Sequence, residues 1–305
     1  MTKHINVDVA IIGAGTAGLY ALREVRRANK SFALIDSGPL GTTCARVGCM
    51  PSKVALHIAE FWHAQIQFSQ YGSSGAEHLR LDGAKAWQAL RDKRDMFAGR
   101  ASGSAQRGAG EHLIMGRARF LKPTVLEVEQ ADGTQQVHAK SVIIAAGSRP
   151  VMPSFLQPFA EHCMSTDDFF EMQQLPKSIG ILGLGAIGLE MGLALSRLGV
   201  EVHGADMAHT VGGITDPEVS AQALAEFSQE MQLYLGAPAE LAPADTGVVL
   251  KSGDTQVQVD KVLVALGRRP NTDQLNLAEA GFQLDERGQP LFNPHTMQVG
   301  EHPVF

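Results

Sequence analysis

A strand–turn–helix–strand unit with glycines at fixed spacing occurs twice in this chain, and nothing else constrains its fold as tightly. Val7 to Ile12 is an apolar run that reads as a buried parallel strand. Gly13-Ala14-Gly15-Thr16-Ala17-Gly18 then opens a helix reaching about Asn29, and Phe32 to Ile35 forms a second strand ending at Asp36. The pattern returns with a strand from Ser178 to Leu182. Gly183-Leu184-Gly185-Ala186-Ile187-Gly188 opens a helix to Leu198, and a strand from Val200 to Ala205 leads to Asp206. In both copies the acid follows the first glycine by 23 positions.

Each glycine has its own physical task. The first (Gly13, Gly183) permits the tight turn, and the second (Gly15, Gly185) lets backbone approach a pyrophosphate. The third (Gly18, Gly188) allows close helix–strand packing. The helix N-terminus offers unbonded N–H groups and the positive end of its dipole to phosphates. Asp36 and Asp206 are placed to accept bonds from ribose hydroxyls. One such glycine turn is weak evidence, because a turn of this kind can simply pack a helix. Two copies, each preceded by a strand, followed by a helix and matched in acid spacing, predict two dinucleotide sites.

A second echo supports the repeat. Ser141 to Pro150 and Lys261 to Pro270 are apolar strands stopped by Gly147 and Gly267, each with a proline three residues on. Each would end its sheet at the carboxyl edge, where ligands collect. The expected fold is therefore α/β, with two Rossmann-like three-layer domains, the second inserted in the first. The boundaries read as 1–150 for the first dinucleotide domain, 151–270 for the second, and 271–305 for a segment returning to the first. Between the motifs, helices are expected at about 44–70, 82–106 and 216–229, with short strands around 118–128 and 135–139. The proline-rich stretch from Pro150 to Pro158 reads as a crossover linker.

A chain of 305 residues with 44% hydrophobic and 19% charged residues suits two ordinary globular domains. A net charge of −6 gives no reason to expect nucleic acid, and no Lys/Arg block points to a membrane surface. No apolar run is long enough to span a bilayer, and the polar start leads straight into the first strand, so a cytoplasmic protein is expected.

Cys44 and Cys49 lie in the run Gly41-Thr42-Thr43-Cys44-Ala45-Arg46-Val47-Gly48-Cys49-Met50-Pro51-Ser52-Lys53, shortly after the first unit. Three cysteines make no structural framework, and in a reducing compartment a close pair points to catalysis, redox sensing or metal binding. Zinc would need further ligands at compatible spacing, and His57 and His63 follow Cys49 too closely for a finger pattern, so no metal site is expected. Cys163 reads as a small buried residue. Five helical residues rise about 7.5 Å, more than the roughly 4.4–6.8 Å Cα separation that a disulfide accepts. A bridge therefore requires an irregular turn, which Gly48 and Pro51 favour. A bond made under such constraint is easily reduced, and a thiolate near a helix start is stabilised. The other reading is two unpaired buried thiols.

The run from Gly41 to Lys53, placed after a GxGxxG unit, resembles the active-site signature of the pyridine nucleotide–disulfide oxidoreductases, and the resemblance extends over essentially the whole chain. It is similar to the dihydrolipoamide dehydrogenase-like branch. The resemblance implies FAD in the first unit and a nicotinamide cofactor in the second. It implies Cys44 as the thiol exchanging with substrate, Cys49 as the one nearer the flavin, and a redox-active disulfide between them. Thr43 would lie at the cofactor. Lys53 and Glu190 resemble the family's ion pair near the flavin, and Gly116 matches the place where backbone meets adenine. Thr42 stands where the family pattern has glycine. Asp206 would repel a 2′-phosphate, and no arginine follows in Met207-Ala208-His209-Thr210, so NAD is expected rather than NADP.

The implied reaction passes electrons from a small-molecule or lipoyl-domain dithiol through the cysteine pair and flavin to NAD. The family assembles as a homodimer. The family's Ala-x-Gly-Asp flavin segment and its dimerisation domain, with a His–Glu pair, would follow Pro303-Val304-Phe305. Weak FAD binding and impaired dithiol turnover are the resulting expectations for this chain, and His57, His63 and His295 read as surface residues. A mercuric reductase-like enzyme or another disulfide reductase is the alternative within the family, and a non-catalytic nucleotide-binding fragment is the alternative outside enzymes. A thioredoxin reductase-like enzyme would carry a C-x-x-C in its nicotinamide domain, and this chain does not fit that pattern.

Overall fold

Both glycine units fold around parallel strands, as the repeat requires. The computed structural model describes residues 3–305. These residues fall into two compact units. One is made of the chain up to Ala45, Met96–Arg149 and Arg269–Phe305, and the other of Arg46–Asp95 and Pro150–Arg268.

In the first unit, β1 (Lys3–Ile12), α1 (Thr16–Arg27) and β2 (Phe32–Asp36) form the glycine motif. Next come β3 (Leu113–Met115), β4 (Arg117–Lys122), β5 (Val125–Gln130) and β6 (Gly133–Ile144). The sheet order is β3-β2-β1-β6-β5-β4, parallel from β3 to β6 and antiparallel beyond. Ile12 pairs with Ile35 and with Ile144, so the apolar ends of three strands lie level just below the glycine turn. Burial follows: Ile11, Leu34, Phe120, Leu126 and Val142 are all fully buried. Each such side chain contributes about 1.5–3 kcal/mol of burial free energy.

The segment after Arg269 closes this unit. Leu275, Leu277, Phe282 and Val304 join the core containing Phe120, and the Leu275 carbonyl accepts the Phe120 N–H. The chain from Pro303 to Phe305 runs parallel beside the end of β6, with Val142 and Ile144 donating to Pro303 and Phe305.

After the short strand β7 (Ser148–Pro150), the second unit repeats the plan with β8 (Cys163–Met164), α5 (Thr166–Phe169), β9 (Ser178–Leu182), α6 (Ala186–Arg197), β10 (Glu201–Asp206), α7 (Pro217–Glu230), β11 (Gln232–Leu235) and β15 (Lys261–Val264). Its parallel sheet has the order β11-β10-β9-β15-β8, so in each unit the glycine-motif strands lie between a late strand and an outer one. A three-stranded antiparallel meander of β12 (Ala239–Pro243), β13 (Val248–Ser252) and β14 (Thr255–Val259) precedes β15.

Several elements differ from expectation. The helix expected at 44–70 is three pieces: α2 (Thr43–Val47), α3 (Cys49–His63) and a 3-10 stretch over Ala64–Tyr71. The break falls at Gly48, whose φ of −137° and ψ of −120° interrupt the helix. The region around 118–128 is the β4–β5 hairpin, and the strand expected at 135–139 continues into the apolar strand after it as β6. The Pro150–Pro158 stretch is more than a linker, because it buries Leu156 in the second unit's core.

The helices α3 and α4 (Gly83–Ala109) explain why residues 46–95 group with the second unit. Within it, α3 packs along α6, Trp87 meets Phe169 edge to face at 5.4 Å, and the nearly buried Arg94 pairs with Glu171 and Asp95. Trp87 is 1% exposed, and its Nε1 has no hydrogen-bond partner among the described residues. A buried donor without a partner is costly, whereas an apolar replacement of similar shape is not. Urea unfolding is therefore expected to place Trp87→Phe within about 1 kcal/mol of wild type, with Trp87→Ala lower by about 3–5 kcal/mol. Equal losses in the two variants would mean that the indole N–H is satisfied after all.

Candidate functional site

The two glycine turns are built alike to within a few tenths of an ångström. Gly13 and Gly183 have φ of +107° and +93°, and a Cβ there would lie 2.2 Å from the Ala145 oxygen and 2.6 Å from the Ala265 oxygen. A Cβ on Gly18 would approach the Gly13 oxygen to 1.8 Å, and one on Gly188 the Gly183 oxygen to 2.0 Å. Gly15 and Gly185 differ from these: a Cβ at either would meet nothing within 4 Å. The turn and packing glycines are thus required by the protein's own backbone, while the middle glycine faces open space.

That open space lies at a helix N-terminus made for an anion. Gly15 caps α1 and Gly185 caps α6 without a side-chain hydrogen bond, and neither helix has an acid in its first turn. Free N–H groups and the dipole remain available to a phosphate. Asp36 and Asp206 brace the turns. Asp36 accepts the Ala14 N–H at 2.6 Å and the Gly38 N–H at 2.7 Å, and Asp206 accepts those of Leu184 at 2.7 Å and Ala208 at 2.9 Å. A carboxylate has about four acceptor positions, so each acid keeps capacity for ribose hydroxyls. Ile187 is exposed on the first turn of α6.

In the first unit a cavity of about 880 Å³ opens over this turn, lined among others by Gly13, Asp36, Gly116, Ala146, Arg149 and Gln274. The size suits part of a large dinucleotide. Gly116 donates its N–H to the Asp36 carbonyl at 2.9 Å, and a Cβ there would strike the Glu129 oxygen at 2.4 Å. The uncapped helix, the open middle glycine, the acid and the cavity together fit the ADP part of a dinucleotide. The glycines at the sheet edges match as well. Gly147 and Gly267 have φ of +69° and +96°, and their carbonyls accept the N–H groups of Asn271 and Val151 respectively.

Arg149 and Asn271 line this cavity, Asp273 holds Arg149, and motif reading missed all three. Arg149 bonds Asp273 at 2.6 and 3.0 Å and Asn271 at 3.0 Å, and the Asn271 amide donates to the Ala146 carbonyl. The bonds from Arg149 hold the Asp273 carboxyl below the usual carboxylate range. The echoed Gly-x-Arg-Pro sequences, Gly147 to Pro150 and Gly267 to Pro270, were a signal for Arg149 itself but not for its partners.

In the cysteine run, Cys44 is half-buried on α2, whereas Cys49 is exposed as the first residue of α3, after the break at Gly48. Both are thiols in this structure. Thr43 is exposed beside Cys44. One turn into α3, Lys53 meets Glu190 of α6 with an Nζ–Oε1 distance of 2.5 Å. Their side chains are 60% and 34% exposed, so the pair adds at most about 1 kcal/mol to stability. Its significance is positional. It ties the helix that begins at Cys49 to the helix that opens the second glycine turn.

A duplicated dinucleotide-binding α/β fold with a Cys-x4-Cys run after its first motif defines a class of redox proteins. The chain belongs to the pyridine nucleotide-disulphide oxidoreductase family, whose sequence pattern matches residues 7–305. It is 31% identical to the glutathione reductase of Schizosaccharomyces pombe, over 90% of this chain and 61% of that protein. It is 29% identical to a dihydrolipoyl dehydrogenase of Staphylococcus aureus, over 93% and 61%. It is 31% identical to the mercuric reductase of Streptomyces lividans, over 100% and 68%. The chain thus spans about three-fifths of the length of the first two relatives. Its fold is also that of the HOCl-induced flavoprotein disulfide reductase RclA of Escherichia coli in its Cu(II) complex. The TM-score is 0.83 at 22% identity, covering 100% of this chain and 65% of that one. Among the described residues, no helix is long and apolar enough to cross a membrane.

Proposed function

We propose that this chain carries the FAD site, the redox cysteines and the NAD site of a flavoprotein disulfide oxidoreductase that takes electrons from a dithiol of the dihydrolipoamide type. Residues 1–150 form the FAD domain in this reading, 151–270 the NAD domain and 271–305 the return segment. The observation that carries the proposal is the Lys53–Glu190 pair, which fastens the helix starting at Cys49 to the helix of the second glycine turn.

When bound, flavin and nicotinamide supply the two-electron redox chemistry. The chain's residues hold them and exchange sulfur bonds. Gly13, Gly15 and Gly18 with α1, Asp36, Thr43, Gly116 and Gly147 would hold FAD, and the family resemblance assigns Lys53 and Glu190 to the flavin. Gly183, Gly185, Ile187 and Gly188 with α6, Asp206 and Gly267 would hold NAD. A substrate thiolate attacks Cys44 of the Cys44–Cys49 disulfide, and that bond breaks with its electron pair leaving on Cys49. The second substrate thiol then displaces Cys44, closing the substrate disulfide, so two electrons and two protons have left the dithiol. The Asp206 carboxylate repels a 2′-phosphate, which favours NAD. The homodimeric assembly of the family and a reducing, cytoplasmic setting complete the reading.

The test is to titrate the protein with FAD, and separately with NADH and NADPH, and then to follow dihydrolipoamide-dependent NAD reduction. The expected result is weak but saturable FAD binding, NADH preferred over NADPH by about tenfold or more, and dithiol-dependent turnover that is slow but measurable. A protein that binds both dinucleotides but shows no dithiol-dependent electron transfer would instead be a nucleotide-binding module.

A further inference from the structure

The turn that carries Cys44 starts at a residue in an unfavourable backbone conformation. Thr42 has φ of +62°, the left-handed region in which a β-branched residue is a genuine outlier. The other positive-φ residues of this loop are glycines, Gly38 at +73° and Gly41 at +123°. A glycine would also hold φ at position 42 without steric cost. What it could not supply is the hydroxyl. Thr42 Oγ1 accepts the N–H of Ala45 at 3.1 Å, three residues on, in the manner of a helix N-cap. The bond spans Thr43 and Cys44. The helix it caps, Thr43–Val47, has only five residues and ends at the Gly48 break, so it has little hydrogen-bond ladder of its own. A strained residue persists where its surroundings over-determine it, and here the compensating contact encloses the cysteine.

We infer that Thr42 is a positioning residue for Cys44: its hydroxyl holds the one-turn helix closed and keeps the Cys44 sulfur half-buried in a single orientation. The consequence for turnover rests on the redox role proposed for Cys44, but the placement of the thiol does not. In the wild-type chain the strained threonine replaces a freely folding glycine loop with a capped one. Thr42→Gly removes the cap and the strain together, so overall stability changes little while the turn frays locally.

The test measures two local quantities on reduced protein with its cofactors bound. One is hydrogen exchange at the Ala45 amide. The other is alkylation of Cys44 by iodoacetamide, located by peptide mass, at about pH 9.5, where an ordinary thiol is ionised and access sets the rate. In Thr42→Gly both rates are expected to rise by roughly tenfold, the scale of one lost cap. Thr42→Ser, which keeps the hydroxyl, and Thr42→Asn, which caps and tolerates the left-handed conformation, are expected to behave as wild type. Unchanged rates in Thr42→Gly, or Thr42→Ser rates equal to those of Thr42→Gly, overturn the inference. If Thr42→Gly does not fold, Thr42→Ala read against Thr42→Asn gives the same contrast. Neither measurement requires substrate or turnover. An inactive protein with these rate changes would sink the proposed function alone, and an active one without them would sink only this inference.

Discussion

Gly18→Ala is expected to unfold the first unit, whereas Gly15→Ala, three residues earlier in the same turn, leaves it folded and unable to hold its dinucleotide. A Cβ at position 18 falls 1.8 Å from the Gly13 carbonyl oxygen, and the obstacle is backbone on both sides. Reaching an ordinary contact means moving α1 away from β1 by roughly 1–2 Å. That displacement opens the close-packed core beneath, where Ile11, Leu22 and Leu34 are buried. A loss of at least about 3–5 kcal/mol follows. Gly188→Ala, at 2.0 Å from the Gly183 oxygen, should do the same to the second unit.

The middle glycines behave oppositely. Gly15 and Gly185 have φ of −74° and −68°, which any residue adopts, and their Cβ positions are open. Alanine there is expected to change stability by less than about 1 kcal/mol, since it also restricts the unfolded chain. The added methyl instead stands where a pyrophosphate must approach the helix N-terminus, so affinity falls. Urea melts paired with FAD and NAD titrations of the four variants check this. Gly15→Ala weakens FAD and Gly185→Ala weakens NAD, while the outer pair lose the fold. A Gly15→Ala protein with undiminished affinity for FAD would remove the first turn from the cofactor site.

The sequence revealed these turns because their requirements are local. A positive φ, a carbonyl within contact of a missing Cβ and an acid at the end of the next strand all write themselves into short, fixed spacing. The parts that were not legible depend on contacts between distant positions. Arg149 and Asp273 are 124 residues apart, and nothing in either neighbourhood announces the other. The same holds for Arg94 and Glu171, which with α3 on α6 group residues 46–95 with the second unit. The division of the helix expected at 44–70 was half legible. Disulfide geometry required an irregular turn and pointed to Gly48, but hydrophobic periodicity ran through the break. The continuity of β6 was hidden because the strands expected at 135–139 and from Ser141 leave Lys140 as a gap, while pairing with β1 carries the strand across it.

Replacing either cysteine separates the redox role from everything else the site does. Cys44 and Cys49 are the only groups of the protein that form and break covalent bonds to sulfur in the proposed scheme. Neither contributes to the glycine turns, to the acids that brace them or to the Lys53–Glu190 pair. Cys44→Ser and Cys49→Ser are therefore expected to keep the flavin content and NADH affinity of wild type and to lose dithiol-dependent turnover by about 10³-fold or more, as when a covalent participant is removed. The two losses should be equal and not additive in the double variant, because one disulfide is absent in all three proteins. Serine cannot accept the attacking thiolate's electron pair by breaking a sulfur–sulfur bond, so no partial route remains through the surviving cysteine. Turnover that survives in Cys49→Ser but not in Cys44→Ser would assign the chemistry to a single thiol. Survival in both would reduce the cysteine run to a structural turn.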